Sequence, residues 1–378
     1  MSTPDKQSTD INNYYLAFSH FQKIGPVGME RLEKFFPDMC QAFFASSLEL
    51  ERAGLRPSIV RDFLIWRKSP AASIENMLNI LKKEKISFLT WNNPNYPSLL
   101  KEISSPPPVL YYKGRVNDNL KNRLAVVGSR KFSAYGEKAI SELLPAIIES
   151  NINIISGLAL GIDALAHQKA LDLEGKTWAV LGSGLDSQNI YPTENIRLAQ
   201  EIIEKGGALI SEFPPGTPPY KQNFPQRNRI ISGLSQATMV IESKEKSGAL
   251  ITAKYALEQN REVLSIPGNI FSDFSSGPNK LIQSGAKTIL NSEDILETFN
   301  ITTSRISKNK KNTVYSPETK EEKLIYNYFE ASKSRAEKIN TDEIARNLKL
   351  DTSIINSTLS ILEIKGLIIN DGTNYELI

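Results

Sequence analysis

The chain has 378 residues, of which 40% are hydrophobic and 23% are charged. These proportions are typical of globular domains and exclude a coiled coil, a collagen-like repeat and global disorder, while the length suits two or three domains. The formal net charge is only +3, so the overall charge does not by itself indicate an anionic partner. One cysteine, Cys40, cannot form an intramolecular disulfide, and two histidines leave a zinc site of His and Cys ligands close to excluded.

The sequence shows no signal for secretion or for membrane insertion. The first residues, MSTPDKQSTDINN, lack the basic segment and apolar stretch of a signal peptide. No uninterrupted apolar run approaches the roughly 20 residues that a membrane helix needs. We therefore expect a soluble cytoplasmic protein with no membrane segment.

Residues 11–75 predict an N-terminal helical domain of the SAM or helix-hairpin-helix kind. Its segments YYLAFSHF, MERLEKFF, CQAFFAS and IVRDFLIWR carry apolar residues at helical spacing. The turn Gly25-Pro26-Val27-Gly28 separates the first two helices. Such a turn can present backbone N–H groups to a DNA phosphate, although the spacing favours an ordinary turn of a helical bundle.

Residues 76–298 predict a Rossmann-like domain with an extended lead-in. KISFLTW in the lead-in predicts a strand, and the proline-rich NNPNYPSLL and SSPPPVLYYKG predict an extended connector. From Leu124 onward, apolar runs alternate with helical stretches; these runs are LAVVG, NIIS, TWAVLG, ALIS, TMVIE, EVLSIPG and AKTIL. The alternation predicts an α/β fold with a parallel sheet and helices on both faces.

The remaining residues predict a linker and a third domain. Residues 299–318 lose periodicity and gather lysines, which predicts a linker. Residues 319–378 predict three helices and a hairpin that turns at Asp371-Gly372, the pattern of a winged helix. The last of these three helices, TSIINSTLSILEIKG, has no arginine, which favours a protein contact or a weak DNA contact over reading of a duplex sequence.

Two glycine-containing loops follow the first two strands of the predicted parallel sheet. Ligands of open parallel sheets bind beyond the carboxyl ends of the strands, so these loops are candidate sites. Gly128, Ser129 and Arg130 predict an anion cradle of backbone N–H groups, a hydroxyl and a guanidinium. In the second loop, Gly157, Ala159 and Gly161 precede a helix, but the glycine spacing departs from the dinucleotide fingerprint and disfavours NAD.

Asp163 and His167 stand four residues apart on the helix that follows the second loop. At that spacing they can pair on one helix face. An acid/base couple is one interpretation. A structural pair that locks the glycine loop to the helix is the favoured one, because no nucleophile accompanies it.

The segment from Lys221 to Arg229 is the most informative in the chain. A lysine, an aromatic ring and two arginines within nine positions, together with Asn228, suit single-stranded nucleic acid; the residues are Lys221, Phe224, Arg227, Asn228 and Arg229. The alternative is a solvated basic loop whose Phe224 fills the core. Further along, Ser247, Gly248 and Thr252 begin another helix and are secondary candidates for binding phosphate, as is Gly161.

Taken together, these loops favour binding over catalysis. They contain several anion-binding turns but no activated nucleophile, metal cluster or P-loop lysine motif, so we expect no catalytic residue, metal or cofactor. Two competing functions stay open. One is a nucleotide-binding Rossmann-like hydrolase that uses Asp163 and His167, and the other is an interaction scaffold in which the winged helix is the working part.

The same stretches resemble the DNA-processing protein DprA (Smf) family. The similarity runs in family order across residues 124–286 and includes VGSRKFSAYG, SGLALGIDALAHQKAL, KSGALITA and, most specifically, FPQRNRIISGLS. It implies a non-enzymatic protein of natural transformation and DNA recombination that binds and protects incoming single-stranded DNA, loads RecA onto it, and forms a homodimer through the Rossmann-like domain. By motif position it implies a DNA pocket made of Gly128, Ser129, Arg130, Gly157, Ala159, Lys221, Phe224, Arg227, Asn228 and Arg229. Leu160 stands where some relatives carry a polar or basic residue.

Overall fold

The computed structural model describes residues 6–116, 122–301, 319–333, 339–365, 367–370 and 374–377. The chain divides into two compact units, Met1–Thr303 and Ser304–Ile378. Within the described ranges, no helix is both long enough and apolar enough to cross a membrane.

Six helices form the amino-terminal part of the first unit. They are α1 (Lys6–His20), α2 (Pro26–Phe35), α3 (Met39–Phe44), α4 (Ser47–Arg52), α5 (Pro57–Arg67) and α6 (Ile74–Lys83). Aromatic rings pack at their centre, where Phe18 stacks on Phe63 with the ring centroids 5.1 Å apart. Phe43 meets Phe63 edge-on. The helical periodicity is therefore explained by an aromatic core, while kinship with SAM or helix-hairpin-helix modules stays a prediction.

A nine-stranded sheet forms the rest of the first unit. Its strands are β1 (Ser87–Thr90), β2 (Val109–Gly114), β3 (Arg123–Val127), β4 (Asn153–Ser156), β5 (Thr177–Val180), β6 (Ala208–Ser211), β7 (Ala237–Val240), β8 (Glu262–Ser265) and β9 (Lys287–Thr288). They lie in the order β1-β2-β6-β5-β4-β3-β7-β8-β9. Strands β3 to β9 pair in parallel. The predicted parallel sheet with helices on both faces is confirmed.

Every residue of the central strands β3 to β7 is buried, which explains their nearly continuous apolar runs. The connector predicted at residues 104–114 differs, because its second half is strand β2. This strand pairs antiparallel with β6, with Tyr111 opposite Ser211. The triple proline that ends at Pro108 stops just before Val109, so it shapes the approach to the sheet without interrupting the strand.

Eight helices connect or flank these strands. They are α7 (Ser98–Lys101), α8 (Ala134–Glu149), α9 (Ile162–Asp172), α10 (Ile196–Glu204), α11 (Asn223–Gly233), α12 (Gly248–Glu258), α13 (Ser276–Gln283) and α14 (Ser292–Thr298). The strand order changes direction at β3, which has β4 on one side and β7 on the other. Such a switch point opens a crevice at the carboxyl ends of the strands.

The second unit contains α15 (Lys320–Lys333), α16 (Thr341–Leu348), α17 (Thr352–Ile364) and the antiparallel pair β10 (Ile368–Asn370) and β11 (Tyr375–Leu377). Its core includes Ile325, Phe329 and Leu359. Three helices followed by two strands is the predicted order, and the winged-helix assignment itself stays a prediction. Residues 302–318 of the predicted linker and the predicted turn at residues 371–372 lie outside the described residues.

Candidate nucleic-acid interface

A cleft of about 810 Å³ opens at the carboxyl ends of the central strands. Five exposed cationic side chains line it, from Arg130, Lys131, Lys221, Lys244 and Lys246, and the buried Arg227 is a sixth. Three aromatic rings line it as well, from Tyr191, Phe224 and Phe274. Asp163 is the single carboxylate among these lining residues. The cleft therefore combines positive charge with apolar ring faces.

The loop after β3 is fixed by its backbone and leaves Arg130 exposed. A Cβ at Gly128 would lie 2.6 Å from Ile162, so only glycine allows this close approach to α9. The Ser129 N–H donates to the Glu242 carbonyl at 2.7 Å, and the Ser129 carbonyl accepts from the Ile162 N–H at 3.1 Å. The guanidinium of Arg130 lies 6.0 Å from the centre of the Phe224 ring. The predicted anion cradle thus has a backbone held by hydrogen bonds and an exposed cation, Arg130, beside it.

The loop after β4 packs against the first loop. Gly161 has φ +84°, and a Cβ there would lie 2.3 Å from the Ser129 carbonyl oxygen. Gly161 is absent from the described cleft lining, whereas Ala159 faces the cleft. Gly157 borders a smaller adjoining pocket with Arg130 and Phe224. Gly161 therefore has a structural part in joining the two loops.

Asp163 and His167 do not bond to each other as the four-residue spacing had suggested. Asp163 accepts the Gly157 N–H at 3.1 Å. His167 instead places Nδ1 2.6 Å from the Thr177 hydroxyl, which donates to the Ile154 carbonyl. Because burial lowers the pKa of His167 to about 3, its ring is neutral at physiological pH.

Burial raises the pKa of Asp163, while the nearby charge of Arg227 and the backbone N–H groups of Gly157 and Ala159 oppose that rise. Both side chains are buried, with Asp163 6% exposed and His167 fully enclosed. Each therefore holds its own part of the fold, and the two do not form an acid/base couple.

Phe224, near the start of α11, contributes an aromatic ring to the cleft lining. Two guanidinium groups lie near the ring, with Arg130 at 6.0 Å and Arg227 at 5.9 Å from its centroid. Tyr191 approaches it with the centroids 5.7 Å apart. Lys221, just before α11, is exposed on the cleft wall. Phe224 is half-buried, so it neither fills the core completely nor lies free in solvent.

Arg227 is buried beneath that ring. Its guanidinium donates to the Gly157 carbonyl at 2.7 Å, to the Val180 carbonyl, and to the Asn228 side-chain oxygen at 3.1 Å. Burial lowers the pKa of Arg227 to about 10, so it stays protonated at neutral pH. Asn228 in turn donates to the Gly248 carbonyl at 3.1 Å. The pair therefore ties α11 to two strand ends and to α12.

Arg229 points to a different set of neighbours. It forms an ion pair of 2.6 Å with Glu212, and these side chains are only 10% and 8% exposed. Burial raises the pKa of Glu212, and the ion pair with Arg229 opposes that rise. Arg229 is not among the residues that line the cleft. This placement differs from the predicted DNA contact, because the guanidinium is committed to a buried carboxylate.

The first turn of α12 borders the cleft, which places the positive end of the helix dipole there. Ser247 caps the helix by accepting the Ala249 N–H at 3.3 Å. Gly248 and the buried Thr252 also line the cleft, and a phosphate-binding role for them stays a prediction. Among the described residues, no group of three or more His, Cys, Asp or Glu side chains could hold a metal ion.

Five cationic or aromatic residues that line the cleft were not assigned from the sequence: Lys131, Tyr191, Lys244, Lys246 and Phe274. Each lies in a segment that follows a strand of the parallel sheet. The rule that ligands bind beyond the carboxyl ends of strands could have identified the lysines, since they lie in the loops after β3 and β7.

Comparisons with known proteins agree with the earlier resemblance. A family model for DNA recombination-mediator protein A matches residues 87–300. The DNA processing protein DprA of Bacillus subtilis (strain 168) is 44% identical over 225 residues, which cover 59% of this chain and 75% of that protein. The X-ray structure of DNA processing protein A from Streptococcus pneumoniae gives a TM-score of 0.63 at 34% identity, over 75% of this chain and 97% of that chain.

A structure of DNA processing protein A from Helicobacter pylori, which concerns its single-stranded DNA binding mode, gives a TM-score of 0.51 at 28% identity. It covers 57% of this chain and 96% of that chain. The large sheet thus has the Rossmann fold of these DprA structures. The resemblance to DprA and Smf is confirmed, and the chain belongs to the DNA recombination-mediator protein A family.

Proposed function

We propose that this chain binds single-stranded DNA in the cleft and acts as a recombination mediator without catalysing a reaction itself. One observation carries the proposal: the half-buried Phe224 ring lies within 6.0 Å of two guanidinium groups, in a cleft lined by five exposed cations. A ring of this kind stacks a base for about 1–3 kcal/mol, while nearby cations bind the phosphates. Membership of the family and the DNA-binding relative from Helicobacter pylori support the same function.

The cleft residues divide into those that contact DNA and those that hold the contacting groups. Arg130 and Lys221 bind phosphates, and Phe224 stacks a base. Gly128, Ser129, Gly157 and Ala159 let the strand approach the backbone closely. Arg227 and Asn228 hold the loops beneath the strand, and Arg229 anchors α11 to Glu212. Ser247, Gly248 and Thr252 offer a further phosphate position at the positive end of α12.

The wider role follows from the family. We infer that the chain protects incoming single strands and loads RecA onto them during natural transformation, as a homodimer joined through the sheet-containing part. The rival hydrolase has less support. It would need Asp163 and His167 to act together, and these side chains are buried with separate partners.

The test is fluorescence anisotropy of a labelled oligo-dT across a salt series. Each phosphate contact with single-stranded DNA contributes about −0.7 to the slope of log K against log salt, so five contacts give about −3.5. Affinity should then fall by roughly 100-fold between 50 and 200 mM salt. The Arg130→Ala/Lys221→Ala protein should bind weakly, with a slope smaller by about 1.4.

The matched control is Arg197→Ala/Lys254→Ala, which removes the same two charges from exposed positions outside the cleft lining. It should bind like the wild type. If the wild type and the Arg130→Ala/Lys221→Ala protein bind with equal affinity, the DNA does not bind in this cleft. If the wild type fails to bind at low salt, a turnover assay on nucleoside monophosphates becomes the next measurement. Once binding is established, RecA filament formation on the same oligonucleotide tests loading.

A further inference from the structure

A second aromatic ring, Phe274, lines the same cleft from a different loop. It lies in the short turn Asp273–Ser275 that follows β8 and is half-buried. The Lys244 ammonium lies 6.0 Å from the centre of its ring. This pair repeats the combination of an aromatic face and a cation found at Phe224 and Arg130.

The backbone around this second ring is held in place. The Phe274 carbonyl accepts the Ser243 N–H at 2.8 Å, and the Ser243 carbonyl accepts the Gly277 N–H at 3.0 Å. The loops after β7 and β8 are therefore joined directly behind the ring. A pre-positioned ring loses little conformational entropy when a base stacks on it.

Lys244 is free to exchange its present partner for a phosphate. It pairs with Asp273 at 2.9 Å, but the two side chains are 60% and 80% exposed. Ion pairs with that exposure contribute little, so a strand phosphate can replace the carboxylate at low cost. Lys246 lies on the same cleft wall and extends the positive charge.

On the basis of the proposed function, we propose that Phe274 and Lys244 form a second stacking site for the same DNA strand. One base stacks on Phe224, and a base further along the strand stacks on Phe274 while its phosphate meets Lys244. The strand thus crosses from the loops after β3 and β4 to those after β7 and β8. An oligonucleotide too short to span both rings uses Phe224 alone.

The experiment compares Phe274→Leu with wild type on oligo-dT of increasing length, from about 4 to 16 nucleotides. Leucine keeps an apolar side chain but has no ring face. Phe274→Leu should bind the longest oligonucleotides about 5- to 150-fold more weakly and the shortest ones equally well. Its salt slope should stay unchanged, because no cation is lost. Phe274→Tyr, which restores a ring face, should recover the affinity for the long oligonucleotides.

A second readout reports on stacking directly. In Phe274→Trp, long oligonucleotides should quench the fluorescence of the new tryptophan and the shortest should not. The proposal is overturned if Phe274→Leu binds every length like the wild type while Arg130→Ala/Lys221→Ala loses binding. It is also overturned if affinity falls equally at every length, since the ring would then shape the whole cleft. Failure of the proposed function is distinguishable from failure of this second site, because in that case the wild type itself would not bind the oligonucleotides.

Discussion

Replacing Arg227 with alanine is expected to destabilise the first unit strongly, because the guanidinium is a buried part of its structure. The guanidinium is buried, with the residue 4% exposed, and donates to the Gly157 and Val180 carbonyls and to Asn228. Hydrogen bonds from charged groups contribute about 1.5–3 kcal/mol each, though not additively. Removing one charge from a buried pair costs about 3–5 kcal/mol, and Arg227→Ala leaves Asp163 without its nearby positive charge.

We therefore expect Arg227→Ala to lower the free energy of unfolding by about 3–5 kcal/mol. The unit has about 300 residues and an unfolding entropy of about 0.6 kcal/mol/K, so this corresponds to a fall in Tm of about 5–8 °C. Calorimetry and urea denaturation of the full chain would measure the change. Arg130→Ala is the matched control: this arginine is exposed, so its loss should change stability by no more than about 0.5 kcal/mol while DNA binding weakens.

The opposite outcome would refute this reasoning. If Arg227→Ala melts like the wild type and loses DNA affinity to the same extent as Arg130→Ala, Arg227 contacts the strand directly. A change in the salt slope by about 0.7 would support that contact. A large loss of stability in Arg227→Ala beside a stable Arg130→Ala would assign the two arginines to different tasks.

Three further predictions concern groups around the cleft. Burial lowers the pKa of His167 to about 3, so below pH 6.5 this imidazole becomes protonated in the unfolded chain but stays neutral in the folded one. Between pH 7 and 5 this costs about 2 kcal/mol of stability; denaturation of His167→Gln should show a shallower pH dependence, retaining the part due to His20, whose pKa is also lowered. Gly161→Ala forces a side chain into the +84° φ conformation and should lower unfolding free energy by at least about 1–3 kcal/mol in the same assay, and a wild-type melt would contradict the close approach. Asp273→Asn frees Lys244 and should tighten oligo-dT binding by about 1.4- to 5-fold in anisotropy, an unchanged affinity arguing against competition for that lysine.

The sequence predicted the parallel sheet well because its central strands are buried on both faces. Their apolar runs leave few alternatives, and the runs of β3, β4 and β5 each end within two residues of a glycine. Strand β2 was harder to predict. It lies next to a triple proline and pairs with β6, a strand almost a hundred residues later, which local composition does not reveal. Pairing between distant segments is set by tertiary packing and not by propensity.

For the site, the sequence predicted which loops meet but not every side-chain partner. The loops after β3, β4 and β7 do meet at one cleft, as the carboxyl ends of parallel strands must. The pairing of Asp163 with His167 was not found, because Thr177 from the neighbouring strand takes the imidazole. Sequence spacing shows which side chains share a helix face, but a partner from another strand can still displace the nearer one.

The two arginines of FPQRNR separate for a reason that helix geometry supplies. We treated this segment as a loop, whereas it lies in α11, which begins at Asn223 and has Pro225 in its first turn, where proline is tolerated. At 3.6 residues per turn, Arg227 follows Phe224 by about −60° around the axis, whereas Arg229 lies about 140° away. Arg227 therefore lies under the ring, and Arg229 turns toward Glu212. The two arginines inside the helix therefore hold the fold around the cleft, and the exposed cations of the cleft lie on its bordering loops.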